Sequence, residues 1–156
     1  MYGHSLGGAA SAATMLSDTR ILGGVNMDGR FFSPVTEQGV DRPFLNVGRP
    51  NHRGEDPTWD EFYGNMRAQI IEVAVANTTH SCFTDYPAIL STMNLTAASR
   101  QSLQEFIGTG DLAKVGGINK SLVMAFSDFV FNHTVARLLQ GTDDKSPEVE
   151  LVRSRL

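Results

Sequence analysis

Apolar residues follow two rhythms along this chain. Residues 21–27, 43–48 and 68–75 are short, mainly apolar runs, the first of them ending at Asp28-Gly29. Runs of this length suit strands of a parallel sheet that is covered on both faces. Elsewhere the apolar spacing is three and four. Residues 9–16 are small and helix-forming, and 57–66 carry Trp59, Phe62 and Tyr63. Leu122, Val123, Phe126, Phe129, Val130, His133, Ala136 and Leu139 make one stripe of a long last helix,. Gly108–Gly110 and Gly116-Gly117 punctuate its start and Gly141 its end, while 90–110 reads as a small insertion. Strands alternating with helices predict an α/β domain over 1–141, with a mostly parallel sheet flanked by helices. The charged, Pro-containing stretch 142–156 is expected to be a flexible tail,.

The chemistry starts at the first residues, Met1-Tyr2-Gly3-His4-Ser5-Leu6-Gly7-Gly8. G-x-S-x-G followed by a helix is a nucleophile elbow, in which a strand reverses sharply and presents the serine hydroxyl at the sheet edge. Gly3 and Gly7 are expected where a Cβ would collide with the turn. The Leu6 amide, at a helix N-terminus, is a candidate oxyanion donor. Only two residues precede Gly3. The chain is therefore expected to be the C-terminal part of an α/β-hydrolase fold, without the N-terminal strands and the loop that supplies a second oxyanion donor. On that reading the isolated chain is a poorly stable, at most feebly active fragment, and this non-catalytic alternative stands beside the enzyme reading.

A serine hydroxyl needs a base, and the base needs an orienting acid, in the chain order Ser, acid, His. Asp28 follows the 21–27 strand and His80 the 68–75 strand, so both reach the sheet edge that carries Ser5,. Glu55 and Asp56, after the third strand, are rival acids. His52 breaks the chain order, His133 lies in the last helix, and His4 is expected to pack. Phe31 and Phe32, after Asp28, are candidate substrate-lining residues, with packing over the sheet as the alternative. Trp59, Phe62 and Tyr63 face the core or cap the site.

These residues resemble the platelet-activating-factor acetylhydrolase family, in its plasma and intracellular type II group and fungal and bacterial relatives. The resemblance lies in Gly3-His4-Ser5-Leu6-Gly7-Gly8-Ala9, in Asp28 after the next strand, and in His80-Ser81-Cys82-Phe83-Thr84-Asp85, similar to an H-x-x-F-x-D pattern. It covers about residues 1–90. It implies Ser5 as nucleophile, Asp28 rather than Asp56 as the orienting acid, and His80 as base. The implied reaction is hydrolysis of short acyl esters, including the acetyl group of an ether phospholipid, with no cofactor or metal. Cutinase-like, polyester- and dienelactone-hydrolase architectures share this layout, and fold does not fix substrate.

Composition narrows the rest. The 156 residues fit one domain, and 41% hydrophobic residues is ordinary for a globular chain,. A net charge of −4 without a basic patch speaks against nucleic-acid binding,. No run is long enough for a transmembrane segment. Cys82 stands alone, so neither an internal disulfide nor a cysteine metal cluster is expected, and a buried thiol is favoured over a nucleophile,. Sequons at Asn77, Asn94, Asn119 and Asn132 lean toward secretion,. Oligomeric state is not legible.

Overall fold

The computed structural model describes residues 1–156. In chain order the elements are β1 (Tyr2–His4), α1 (Leu6–Ser17), β2 (Gly24–Met27), α2 (Val35–Gln38), β3 (Phe44–Gly48), α3 (His52–Glu55), α4 (Thr58–Asn65) and β4 (Ile70–Val75). A 3₁₀ turn (His80–Phe83) then leads to α5 (Tyr86–Ser91), α6 (Ala97–Ile107), α7 (Leu112–Asn132), a second 3₁₀ turn (Arg137–Gln140) and β5 (Val149–Arg155). The sheet order is β1-β2-β3-β4-β5. The first four strands are parallel and β5 is antiparallel to β4. No helix is long and apolar enough to cross a membrane.

Both faces of the sheet are covered, which is why its strands read as nearly continuous apolar runs. Side chains alternate between faces along a strand. Val25, Met27, Leu45, Val47, Ile71 and Val73 pack with Ile118, Leu122, Phe126 and Phe129 of α7. The intervening Phe44 and Ile70 face the opposite layer, with Ala12 and Met15 of α1, Phe31, Trp59 and Phe62. A mostly parallel sheet between two helical layers agrees with the sequence expectation. Cys82 is buried with Ile107, Leu112 and Val115.

Three expectations need correction. The stretch from 142 is not frayed throughout, because Val149–Arg155 adds an edge strand to β4. Arg153 holds it there, with Nε 2.9 Å from Oε2 of Glu72, a carboxylate only 2% exposed. Its guanidinium also lies 4.0 Å from the Tyr63 ring centroid,. Burial pushes the Glu72 carboxyl up and the Arg153 charge opposes it, so the strand supplies the partner that a buried charge requires. Second, Gly116 and Gly117 lie inside α7 rather than before it. Third, α7 ends at His133, which adopts a left-handed conformation (φ 57) eight residues short of Gly141. Leu138 and Leu139 belong to the following 3₁₀ turn but stay in the core.

Candidate active site

The elbow arises where β1 hands over to α1 within one residue. The Ser5 amide donates to the Met27 carbonyl at 2.9 Å, as part of the sheet. Its carbonyl accepts from Gly8 N–H at 2.9 Å and Ala9 N–H at 3.3 Å, as part of the helix. Meeting both demands puts Ser5 at φ 55, ψ −123, a conformation that costs a non-glycine residue about 1–3 kcal/mol. Strain at a serine between strand and helix is the mark of an elbow that aims a hydroxyl outward. Leu6 is the first residue of α1, so its N–H is a first-turn donor without an intrahelical partner,. Its side chain is exposed.

The two elbow glycines are not equivalent, contrary to the sequence expectation. A Cβ on Gly3 would lie 2.3 Å from the Gly7 carbonyl carbon, whereas one on Gly7 would meet nothing within 4 Å. Gly8 is the second crowded position, 1.9 Å from Asn26 Oδ1. Gly3→Ala is therefore expected to destabilise the fold by about 3 kcal/mol or more, because only backbone could yield. Gly7→Ala is expected to stay within about 1 kcal/mol of the parent or gain slightly, as an exposed helix position prefers Ala. Urea denaturation of the two variants checks this, and equal losses would contradict it.

Asp28 follows β2 in a tight, fully braced turn. Its amide donates to the Val47 carbonyl at 2.8 Å, and its φ is 54. The buried Asn26 side chain spans the turn, donating to Gly29 O at 2.7 Å and accepting from Gly29 N–H at 3.0 Å. Trp59 Nε1 also donates to Gly29 O, at 2.8 Å. The Asp28 carboxylate is wholly buried. Oδ2 accepts from His80 Nδ1 at 2.8 Å and Arg49 Nη1 at 2.7 Å. Oδ1 accepts from the Arg49 amide at 2.9 Å and lies 2.7 Å from His52 Nδ1. Burial alone would raise this carboxyl, but the His52, Arg49 amide and His80 hydrogen bonds prevail and bring it down to about 2,. Asp28 is thus ionised at neutral pH.

His80 sits in the turn after β4, with its side chain 46% exposed. Donation from Nδ1 to Asp28 leaves Nε2 as the basic nitrogen, turned away from the carboxylate. Its hydrogen bonds run to Asp28 and, through its carbonyl, to His4 Nε2 at 2.9 Å. None reaches the Ser5 hydroxyl, a contact that in unliganded sites often forms only with substrate. His4 packs as expected, its ring 4.4 Å from that of His80. Burial, followed by the neighbouring His80, lowers its pKa. A groove of about 590 Å³ opens beside it, lined among others by Tyr2, Met27, Phe83 and Met124.

The other candidates divide. Glu55 is exposed and pairs with Arg49 Nη2 at 2.6 Å. Asp56 caps the start of α4 through Thr58 N–H and Oγ1. Neither bonds to His80. Phe31 is not a lining residue: it is 1% exposed and stacks on Phe62 at 4.1 Å, inside the cluster with Phe44 and Trp59. Phe32 beside it is exposed. Arg49 was missed by the sequence reading, and His52 was set aside there because it breaks the chain order, yet both bond to Asp28. The strand-end rule applied to β3 would have found Arg49, and His52 lies one helical turn beyond.

No protein-family model matches the chain. Over 161 residues it is 29% identical to a protein of Arthroderma benhamiae named as a probable 1-alkyl-2-acetylglycerophosphocholine esterase, covering 96% of this chain and 42% of that one. Its structure is similar to that of a ferulic acid esterase from Streptomyces cinnamoneus, with TM-score 0.82 and 25% identity, covering 97% of this chain and 46% of the other. The chain thus spans less than half the length of either relative. The resemblance to the platelet-activating-factor acetylhydrolase family is matched by the curated relative, and the sheet with its helices is similar to an esterase of the α/β-hydrolase fold.

Proposed function

We propose that this chain carries the catalytic centre of a serine carboxylic-ester hydrolase acting on short acyl esters. The observation that supports this most is the His80–Asp28 hydrogen bond of 2.8 Å at the sheet edge where Ser5 holds a strained positive φ. Ser5 Oγ attacks the ester carbonyl carbon while His80 Nε2 takes its proton. Ionised Asp28 keeps His80 in the Nδ1–H tautomer and stabilises the imidazolium that forms. The Leu6 N–H, at the positive end of α1, donates to the developing oxyanion. His80 then returns the proton to the leaving alcohol, and water releases the acyl group by the reverse sequence.

For the substrate, the relative's name suggests the acetyl group of an ether phospholipid and the structural neighbour's name a ferulate ester. The open, partly apolar groove that His4 lines has room for an acyl group,. The test is a p-nitrophenyl ester series from acetate to decanoate, run with a 1-alkyl-2-acetylglycerophosphocholine and a feruloyl ester. The highest kcat/KM is expected for acetyl and butyryl esters, with the acetyl phospholipid also hydrolysed. Hydrolysis of none of them, together with failure of a fluorophosphonate to label Ser5, would overturn the reading.

A further inference from the structure

Asp28 is shared by two imidazoles, and the reaction proposed above uses only one of them. His52 approaches Oδ1 while His80 approaches Oδ2. His52 is 6% exposed, and its ring centroid lies 4.1 Å from that of Trp59, which is 1% exposed. Trp59 in turn donates to the carbonyl of Gly29, next to Asp28. The chain of contacts therefore closes on itself, from Asp28 through Gly29, Trp59 and His52 back to Asp28.

The proton on His52 can be assigned. Its Nδ1 lies 2.7 Å from Asp28 Oδ1 and 2.8 Å from Arg49 Nη1. One ring nitrogen cannot both donate to the first and accept from the second. A bare Nδ1 would set its lone pair against an ionised carboxylate oxygen at hydrogen-bond distance. The Arg49 Nη1 already has Asp28 Oδ2 as acceptor. The hydrogen therefore belongs on Nδ1, donating to Asp28.

We infer that His52 is a positioning residue, whose Nδ1–H fixes the Asp28 carboxylate in the orientation that serves His80. This rests on the hydrolase reading of Ser5, Asp28 and His80. Arg49 shares the task but is drawn outward by exposed Glu55, and its side chain is 26% exposed. His52 is the buried, rigid half of the clamp. The charged and titratable groups around the pair are His4 from β1, Arg49 after β3, Arg53 and Glu55 of α3, Asp56, whose Oδ2 lies 3.5 Å from His52 Nε2, and Glu72 of β4, which lines the same cavity as His52.

Two variants of the full chain separate positioning from packing. His52→Phe keeps a ring against Trp59 but removes the donor, and His52→Asn keeps an N–H at the Nδ1 position. The readout is the rate of Ser5 labelling by a fluorophosphonate across pH. His52→Phe is expected to slow labelling about 10–100-fold. Its acid limb should move to higher pH, because a carboxylate with one donor fewer holds the proton of the Asp28–His80 pair more tightly. His52→Asn is expected to stay within about threefold of the parent with the limb unmoved. Parent-like rates in both variants, or equal losses with an unmoved limb, would overturn the inference. A long-range ¹H–¹⁵N imidazole spectrum of the parent tests it without any variant: His52 must be protonated at Nδ1, and a hydrogen on Nε2 alone overturns it. If the parent is not labelled at Ser5 at all, the hydrolase reading fails instead, and the spectrum still decides the state of His52.

Discussion

Ser5→Ala is expected to reduce turnover of a short acyl ester by about 10⁴–10⁶-fold while leaving the fold in place. The size follows from the role. Without an oxygen at this position the Asp28–His80 pair has nothing to activate, and only the oxyanion donor and binding remain to favour the reaction over water. The fold should be spared because the serine side chain makes no hydrogen bond that the elbow needs. Its amide serves the sheet and its carbonyl serves α1, and alanine retains both. Alanine also inherits the strain at φ 55, so neither gain nor loss beyond about 1 kcal/mol is expected,. Steady-state hydrolysis of p-nitrophenyl acetate beside a urea titration checks both halves. Hydrolysis within tenfold of the parent would remove Ser5 from the nucleophile's role, whatever the stability.

Much of this arrangement was legible because strand ends are easy to read. Asp28 and His80 each stand just beyond an apolar run, and parallel strands bring such ends to one edge. What the runs do not encode is lateral contact. Arg49 and His52 meet Asp28 across the β2–β3 boundary, and nothing in the local pattern of either segment reports it. Phe31 looked like a rim residue because it follows the acid, yet the chain turns it inward onto Phe62. The edge strand β5 was hidden by its charges. Val149 and Leu151 alternate toward the core, but Glu150 between them and the arginines beyond read as a solvated tail until buried Glu72 is seen as the partner of Arg153. Gly116 and Gly117 misled for a different reason. Propensity against helix is about 1 kcal/mol per glycine, and the packing of Ile118, Leu122, Phe126 and Phe129 on the sheet outweighs it.

Asp28→Asn is expected to lower kcat by about 10⁴-fold and, unlike the serine change, to weaken the fold. The carboxylate is surrounded by donors from His80, Arg49 and His52, and it is wholly buried. An asparagine must turn its own NH₂ toward some of them, which sets donor against donor and leaves the Arg49 charge without its anion. Breaking a buried charge pair in this way costs about 3–5 kcal/mol. The imidazole of His80 then loses the acceptor that holds its tautomer, which is the origin of the rate loss. The stability effect carries a pH signature. In the native state the carboxyl is held at about 2, against an ordinary aspartate value of 3.8. A depressed carboxyl pKa contributes stability that is complete above the unfolded value and is lost as pH falls through the folded one. For this shift the contribution is about 2 kcal/mol, present at neutral pH and fading from about pH 4 toward pH 2. Urea titrations of parent and variant across that window should therefore converge as acid is added. A gap between them that stays constant from pH 7 to pH 2 would mean that Asp28 is not ionised and clamped in the folded chain, and the orienting role would fall with it.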